Sequence, residues 1–94
     1  MAIEVTDEAV EVLRRSLELA GSEPPAGVRL RAATALGGGV DVQVELADGP
    51  LEGETVIDRD GVNLFIDPSL TAVMPEAIVT VEPQHERVIV RPAG

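Results

Sequence analysis

The sequence has 94 residues, 45% of them hydrophobic and 26% charged, which is the size and balance of one small domain with its own core, spanning 1–94. Seventeen acidic residues against 7 basic ones give a formal net charge of -10, and there is 1 Phe with no Trp or Tyr, so neither phosphate attraction nor base stacking supports nucleic-acid binding. Without cysteine there is no thiolate nucleophile, disulfide or cysteine-held metal, and without lysine there is no Schiff-base or P-loop amine.

The N-terminal residues Met1-Ala2-Ile3-Glu4-Val5 lack a basic stretch followed by an apolar one, so they do not read as a signal peptide. No apolar run approaches the roughly 20 residues of a membrane span, and a cytoplasmic location is expected. Ile3-Glu4-Val5 alternates as a short strand. Thr6 follows as a helix N-cap, and Asp7 and Glu8 suit the positive end of the helix dipole. Ala9, Val10, Leu13, Leu17 and Ala20 recur at helical spacing, and Gly21 with Pro24 and Pro25 ends the helix.

After Pro25 the period becomes two. Val28, Leu30 and Ala32 alternate with Arg29 and Arg31, and Val40, Val42, Val44 and Leu46 alternate with Asp41, Gln43 and Glu45. An antiparallel hairpin centred on Gly37 sets Val28 opposite Leu46, Leu30 opposite Val44 and Ala32 opposite Val42. Its other face sets Arg29 opposite Glu45 and Arg31 opposite Gln43. A one-residue slip places apolar against polar, so burial and charge specify the same register. Thr55-Val56-Ile57 and Val62 to Ile66 flank Asp60-Gly61, a tight-turn signal, and form a second hairpin. Asp67-Pro68-Ser69-Leu70 reads as N-cap and first helical turn, ending before Pro75. Ile78 to Glu82 and Arg87 to Arg91 form a third hairpin, with Glu82 facing Arg87, Val81 facing Val88 and Val79 facing Val90.

Several of these segments together resemble the HesB-like, A-type iron–sulfur cluster carrier family. They are Ile3 to Ala9, Gly27-Val28-Arg29-Leu30, Val44-Glu45-Leu46-Ala47-Asp48 and Gly61 to Leu70. The resemblance implies an α+β, mostly β fold, a compact curled β-sheet domain with one N-terminal helix and a short helical turn. It also implies three cluster-binding cysteines, one in a Gly-rich turn and two in a C-terminal Cys-x-Cys pair. Aligned outward from Val44 to Asp48, the turn position falls near Gly37, within Ala35-Leu36-Gly37-Gly38-Gly39, and the sequence ends at Arg91-Pro92-Ala93-Gly94 without a Cys-x-Cys pair. No cluster ligand carries over. The expectation is a non-enzymatic protein with a protein-binding or accessory role related to cluster assembly, holding no cofactor.

Gly37, Gly38 and Gly39 read as a flexible hairpin turn rather than a phosphate cradle, because a strand and not a helix follows, and as a candidate interaction loop at the family's turn position. The alternative function is a metal carrier using His85 with Glu82 and Glu86. Asp58-x-Asp60-Gly61 lacks the acids of a calcium loop, and Glu52 and Glu54 are expected in a solvated loop without a raised pKa. No serine has a neighbouring His-Asp arrangement, so no catalytic residue is assigned. Phe65 breaks the alternation of Val62, Leu64 and Ile66. It is expected to meet the helix, the short helical turn or a partner chain, which makes it the candidate interface residue of a homodimer. The acidic balance favours a basic protein partner over nucleic acid or an anionic membrane.

Overall fold

The structure is a computed structural model that describes residues 2–93. In chain order the elements are β1 (Ala2–Val5), α1 (Asp7–Leu19), β2 (Gly27–Thr34), β3 (Val40–Ala47), β4 (Thr55–Arg59), β5 (Val62–Ile66), α2 (Pro68–Val73), β6 (Glu76–Glu82) and β7 (Arg87–Pro92). The fold is α+β and mostly β, as the sequence leads one to expect.

Local chemistry explains both helices. Thr6 is extended and its hydroxyl accepts from the Ala9 amide at 3.3 Å, which satisfies one of the free donors at the start of α1. At the other end Ser22 N donates to Leu17 O and Gly21 N to Glu18 O, the paired bonds of a Schellman stop. Ala9, Val10 and Leu13 are buried, and Leu17 is half-buried, but Ala20 lies at the C-cap and is exposed, so the apolar stripe ends one turn earlier than its spacing implies. In α2, Asp67 caps through Ser69 N at 2.8 Å and Pro68 occupies the first turn, where its missing amide costs nothing.

All three expected hairpins form, β4 pairing with β5, and the two predicted registers hold: β2 against β3 with Val28 opposite Leu46 and Ala32 opposite Val42, and β6 against β7 with Glu82 opposite Arg87. The turn joining β4 and β5 has positive φ at Asp60 and Gly61, 52° and 86°, whose handedness matches strand twist. Two parallel pairings then organise the hairpins into separate sheets. β1 lies beside β6, giving the order β1-β6-β7, and β2 lies beside β5, giving β3-β2-β5-β4.

The sheets and helices share one aliphatic core. Val28, Leu30, Leu64 and Ile66 meet Val5 and Val79 of the other sheet, with Ala9, Val10 and Leu13 of α1 and Leu70 of α2 between them. Each buried Val, Leu or Ile contributes about 2 kcal/mol, so this core is held by aliphatic side chains alone. Arg59 bridges the sheets, donating to Val5 O and, at 3.2 Å, to Asp7 Oδ1. Where Gly27 begins β2, a Cβ would stand 2.4 Å from Asn63 O of β5, so the absent side chain is what lets the two strands approach.

Candidate functional site

The β2–β3 hairpin carries the glycine triplet at its tip. Ala35 N donates to Gly39 O at 2.8 Å and Gly38 N to Ala35 O at 3.1 Å, closing the loop. Gly37 and Gly38 hold φ of 90° and 89°, which side-chain-bearing residues rarely adopt, and a Cβ on either would meet only open space. The loop is therefore glycine-rich because of its backbone path rather than for want of room. Leu36 beside it is fully exposed, at 104%, an apolar side chain presented at the tip that the alternation pattern does not single out. Behind the loop, Ala32 N donates to Ser69 Oγ at 3.2 Å, which anchors the hairpin to α2. Hydrogen bonds from Ser69 hold the Asp67 carboxyl below its ordinary pKa.

The tip offers no donor for iron. Iron–sulfur clusters are held by thiolates, with imidazole as the occasional substitute, and Ala35 to Gly39 supply neither. His85 is far along the chain in the β6–β7 turn, where its Nδ1 meets Glu82 Oε1. Arg87 shares Glu82, donating to Oε2 at 3.3 Å. Among the described residues no group of three His, Asp or Glu side chains converges as a metal site, so Glu86 does not complete the trio anticipated with His85 and Glu82. Two of the serine hydroxyls are committed to the backbone. Ser16 donates to Val12 O within α1, and the Ser69 hydroxyl accepts from the Ala32 amide of β2. These residues form no nucleophile–base pair.

Phe65 lies elsewhere than expected. It is 1% exposed, and it stands on the face of the four-stranded sheet opposite Leu64 and Ile66, outside the cluster formed with α1 and α2. Its cross-strand neighbours are Arg29 and Val56, and the Arg29 guanidinium lies over the ring, 6.0 Å from its centroid. Phe65 is thus a core residue of the single chain, with no exposed face left for the interface assigned to it.

Glu54 is the residue that sequence reasoning misjudged. Its side chain is 1% exposed, not solvated, and receives Arg29 Nε at 2.6 Å, Arg29 Nη2 at 3.2 Å and the Leu51 amide at 2.6 Å. Arg29 also donates to Gly49 O at 2.9 Å, so one guanidinium ties residues 49 and 54 across the Phe65 ring. The expected Arg29–Glu45 pair is replaced accordingly. The register does set the two opposite each other, but Glu54 draws the guanidinium away and Glu45 is left 3.8 Å from Arg31. The hydrogen bond from Arg29, followed by that from Leu51, holds the Glu54 carboxyl below its ordinary value.

A carboxyl whose pKa is lower folded than unfolded adds stability above its unfolded value, and that stability is lost as pH falls through the folded one. For Glu54 this places the loss below about pH 4.5 and for Asp67 below about pH 3.8. Glu54→Gln keeps the shape but removes the charge. Thermal melts are expected to show a midpoint lower by roughly 10 °C at neutral pH and a shallower decline below pH 5. A parental pH profile retained by the variant would remove Glu54 from this account.

No protein-family model matches the sequence, and no curated protein matches it. Solved structures do. The chain is similar to SufA of Escherichia coli, involved in biosynthesis of iron–sulfur clusters, at 20% identity over 96% of this chain and 77% of that one, with a TM-score of 0.72. IscA with its [2Fe-2S] cluster shares 18% identity over 95% of this chain and 81% of that one, with a TM-score of 0.73. A protein from Aquifex aeolicus, solved by solution NMR, shares 26% identity over 97% and 91%, with a TM-score of 0.70. The chain therefore has the HesB-like fold of SufA and IscA, in a sequence without cysteine. Among the described residues no helix is long and apolar enough to cross a membrane.

Proposed function

We propose that this HesB-like chain is a non-enzymatic accessory protein of iron–sulfur cluster assembly, a single domain over 1–94 that acts in the cytoplasm by binding another protein rather than by ligating a cluster. One observation carries the reading: the fold of SufA and IscA is combined with a hairpin tip, Ala35 to Gly39, that holds no ligating side chain. A scaffold of that shape without thiolates retains its surfaces and loses the cargo chemistry. The exposed tip with Leu36 and Gly37 to Gly39, and the formal charge of -10, support a protein partner rather than a nucleic acid.

The test is anaerobic reconstitution of the purified chain with iron and sulfide, followed by gel filtration and iron quantification. The protein is expected to emerge colourless and iron-free, while a cysteine-bearing protein of the same fold run beside it turns brown. A stable brown species with stoichiometric iron would overturn the reading.

A further inference from the structure

β3 is the end strand of its sheet, with β2 on one side and no strand on the other among the described residues. In an antiparallel ladder, hydrogen-bonded pairs alternate with non-bonded ones, and the residues of the non-bonded pairs turn both main-chain groups away from the partner. The bond from Ala35 N to Gly39 O identifies the set, because Ala35 and Gly39 continue the register in which Thr34 opposes Val40. Asp41, Gln43 and Glu45 consequently bond to β2, and Val40, Val42, Val44 and Leu46 direct their main-chain groups outward. The far side of β2 agrees, since Leu30 O accepts from Asp67 N and Ala32 N donates to Ser69 Oγ. So does Val42, whose amide bonds only to the adjacent Asp41 carboxylate, at 3.0 Å.

The same strand presents apolar side chains. Val40, Val44 and Leu46 are 52%, 40% and 47% exposed, although Val44 and Leu46 are in register with the buried Leu30 and Val28 of β2. Between β3 and β7 runs a groove of about 410 Å³, lined by Val40, Val42, Val44 and Val88 together with the charged Asp41 and Arg87. On the opposite face stand Asp41, Gln43 and Glu45, with Asp41 exposed. Val40–Ala47 contains no proline and no basic residue, and its outward Val42 amide is held by the Asp41 carboxylate, which an incoming strand displaces.

We propose that the outer edge of β3 is a docking site for an extended segment of a partner protein in which apolar residues alternate with arginine or lysine. The segment adds a strand to the sheet, its apolar side chains filling the groove beside Val44 and Val88 and its cationic ones facing Asp41 and Glu45. In the register of fullest overlap, charge favours this occupant over a second copy of the chain. A symmetric antiparallel pairing centred on Gln43, which overlaps all four apolar residues, sets Asp41 against Glu45 twice, and like charges directly opposite repel. The proposal rests on the protein-binding reading above and names the surface and the chemistry of its partner.

The experiment uses the full chain and two short fluorescent peptides, one alternating valine with arginine and one alternating valine with glutamate. Fluorescence anisotropy is expected to show saturable binding of the arginine peptide, weakened by added salt, and at least about tenfold weaker binding of the glutamate peptide. Val42→Pro removes the outward amide without touching the β2 ladder and is expected to weaken arginine-peptide binding by about tenfold or more, with circular dichroism verifying the fold. Asp41→Lys with Glu45→Lys keeps the edge and reverses its charge, and is expected to prefer the glutamate peptide. Failure of the arginine peptide to bind, equal binding of both peptides, or a dimer in sedimentation that Val42→Pro abolishes would each overturn the proposal. If the peptide fails and reconstitution stays colourless, the edge assignment alone falls. Iron retention together with peptide binding removes only the ligand-free reading.

Discussion

Phe65→Ala is expected to destabilise the protein by about 4 kcal/mol, the usual cost of emptying a buried phenylalanine site. The ring is 1% exposed and supports the Arg29 guanidinium, which in turn holds Glu54 and Gly49. Truncation opens a cavity and removes the surface on which that ion pair rests, so the loss exceeds the methylene count alone. Small domains have only about 5–15 kcal/mol in total, and the variant should sit close to unfolding at 37 °C. Urea denaturation at two protein concentrations measures it. The expected loss is the same at both, because the contact lies within one chain. A loss under about 1 kcal/mol, or one that appears only on dilution, would return Phe65 to an interface.

A single methyl group at Gly27 is expected to cost nearly as much, about 3 kcal/mol, or a thermal midpoint roughly 15 °C lower. The Cβ of Gly27→Ala would lie 2.4 Å from Asn63 O and 2.8 Å from Asn63 Cβ. Neither neighbour can yield cheaply. The oxygen belongs to the backbone of β5, and moving it separates β2 from β5 where the buried Val28 pairs with the buried Leu64. Gly49→Ala is a control of the same chemistry at a roomier site, with nothing nearer than Pro25 Cγ at 3.9 Å. Equal midpoints for the two variants would show that the strand approach is slack.

Both residues mark the boundary of what the sequence makes legible. The β2–β3 register can be read because two faces, one apolar and one charged, specify the same pairing within a short stretch. The turn at Asp60 and Gly61, the Thr6 and Asp67 caps and the Glu82–Arg87 pairing are local in the same sense. The parallel neighbours β1 with β6 and β2 with β5 leave no periodic trace, because nothing near either strand in sequence names its partner. The fate of Phe65 follows from that gap. Alternation places it on the face opposite Leu64, and only the β2–β5 pairing brings Arg29 alongside. Glu54 was less accessible still, since its burial needs the Leu51 amide to fold back and Arg29 to reach it across the sheet.

The same division applies to the candidate site. The glycine tip is legible as the turn between two alternating strands, and the absence of ligating side chains there is plain from the residues. The exposure of Val40, Val44 and Leu46 is not, because their alternation is that of a covered strand and only the topology reveals that β3 ends its sheet.

The parallel pairing of β1 with β6 also orders the assembly of the molecule in time. Each hairpin closes over a short loop, a microsecond event, but Ala2 reaches Glu76 only after almost the whole chain has been gathered. On loop-closure grounds β1 is expected to dock last, and its release withdraws Val5 from the core. With it go the Thr6 N bond to Val79 O and the Arg59 bond to Val5 O, so opening at this edge loosens the seam between the two sheets while leaving the β2–β5 centre shut.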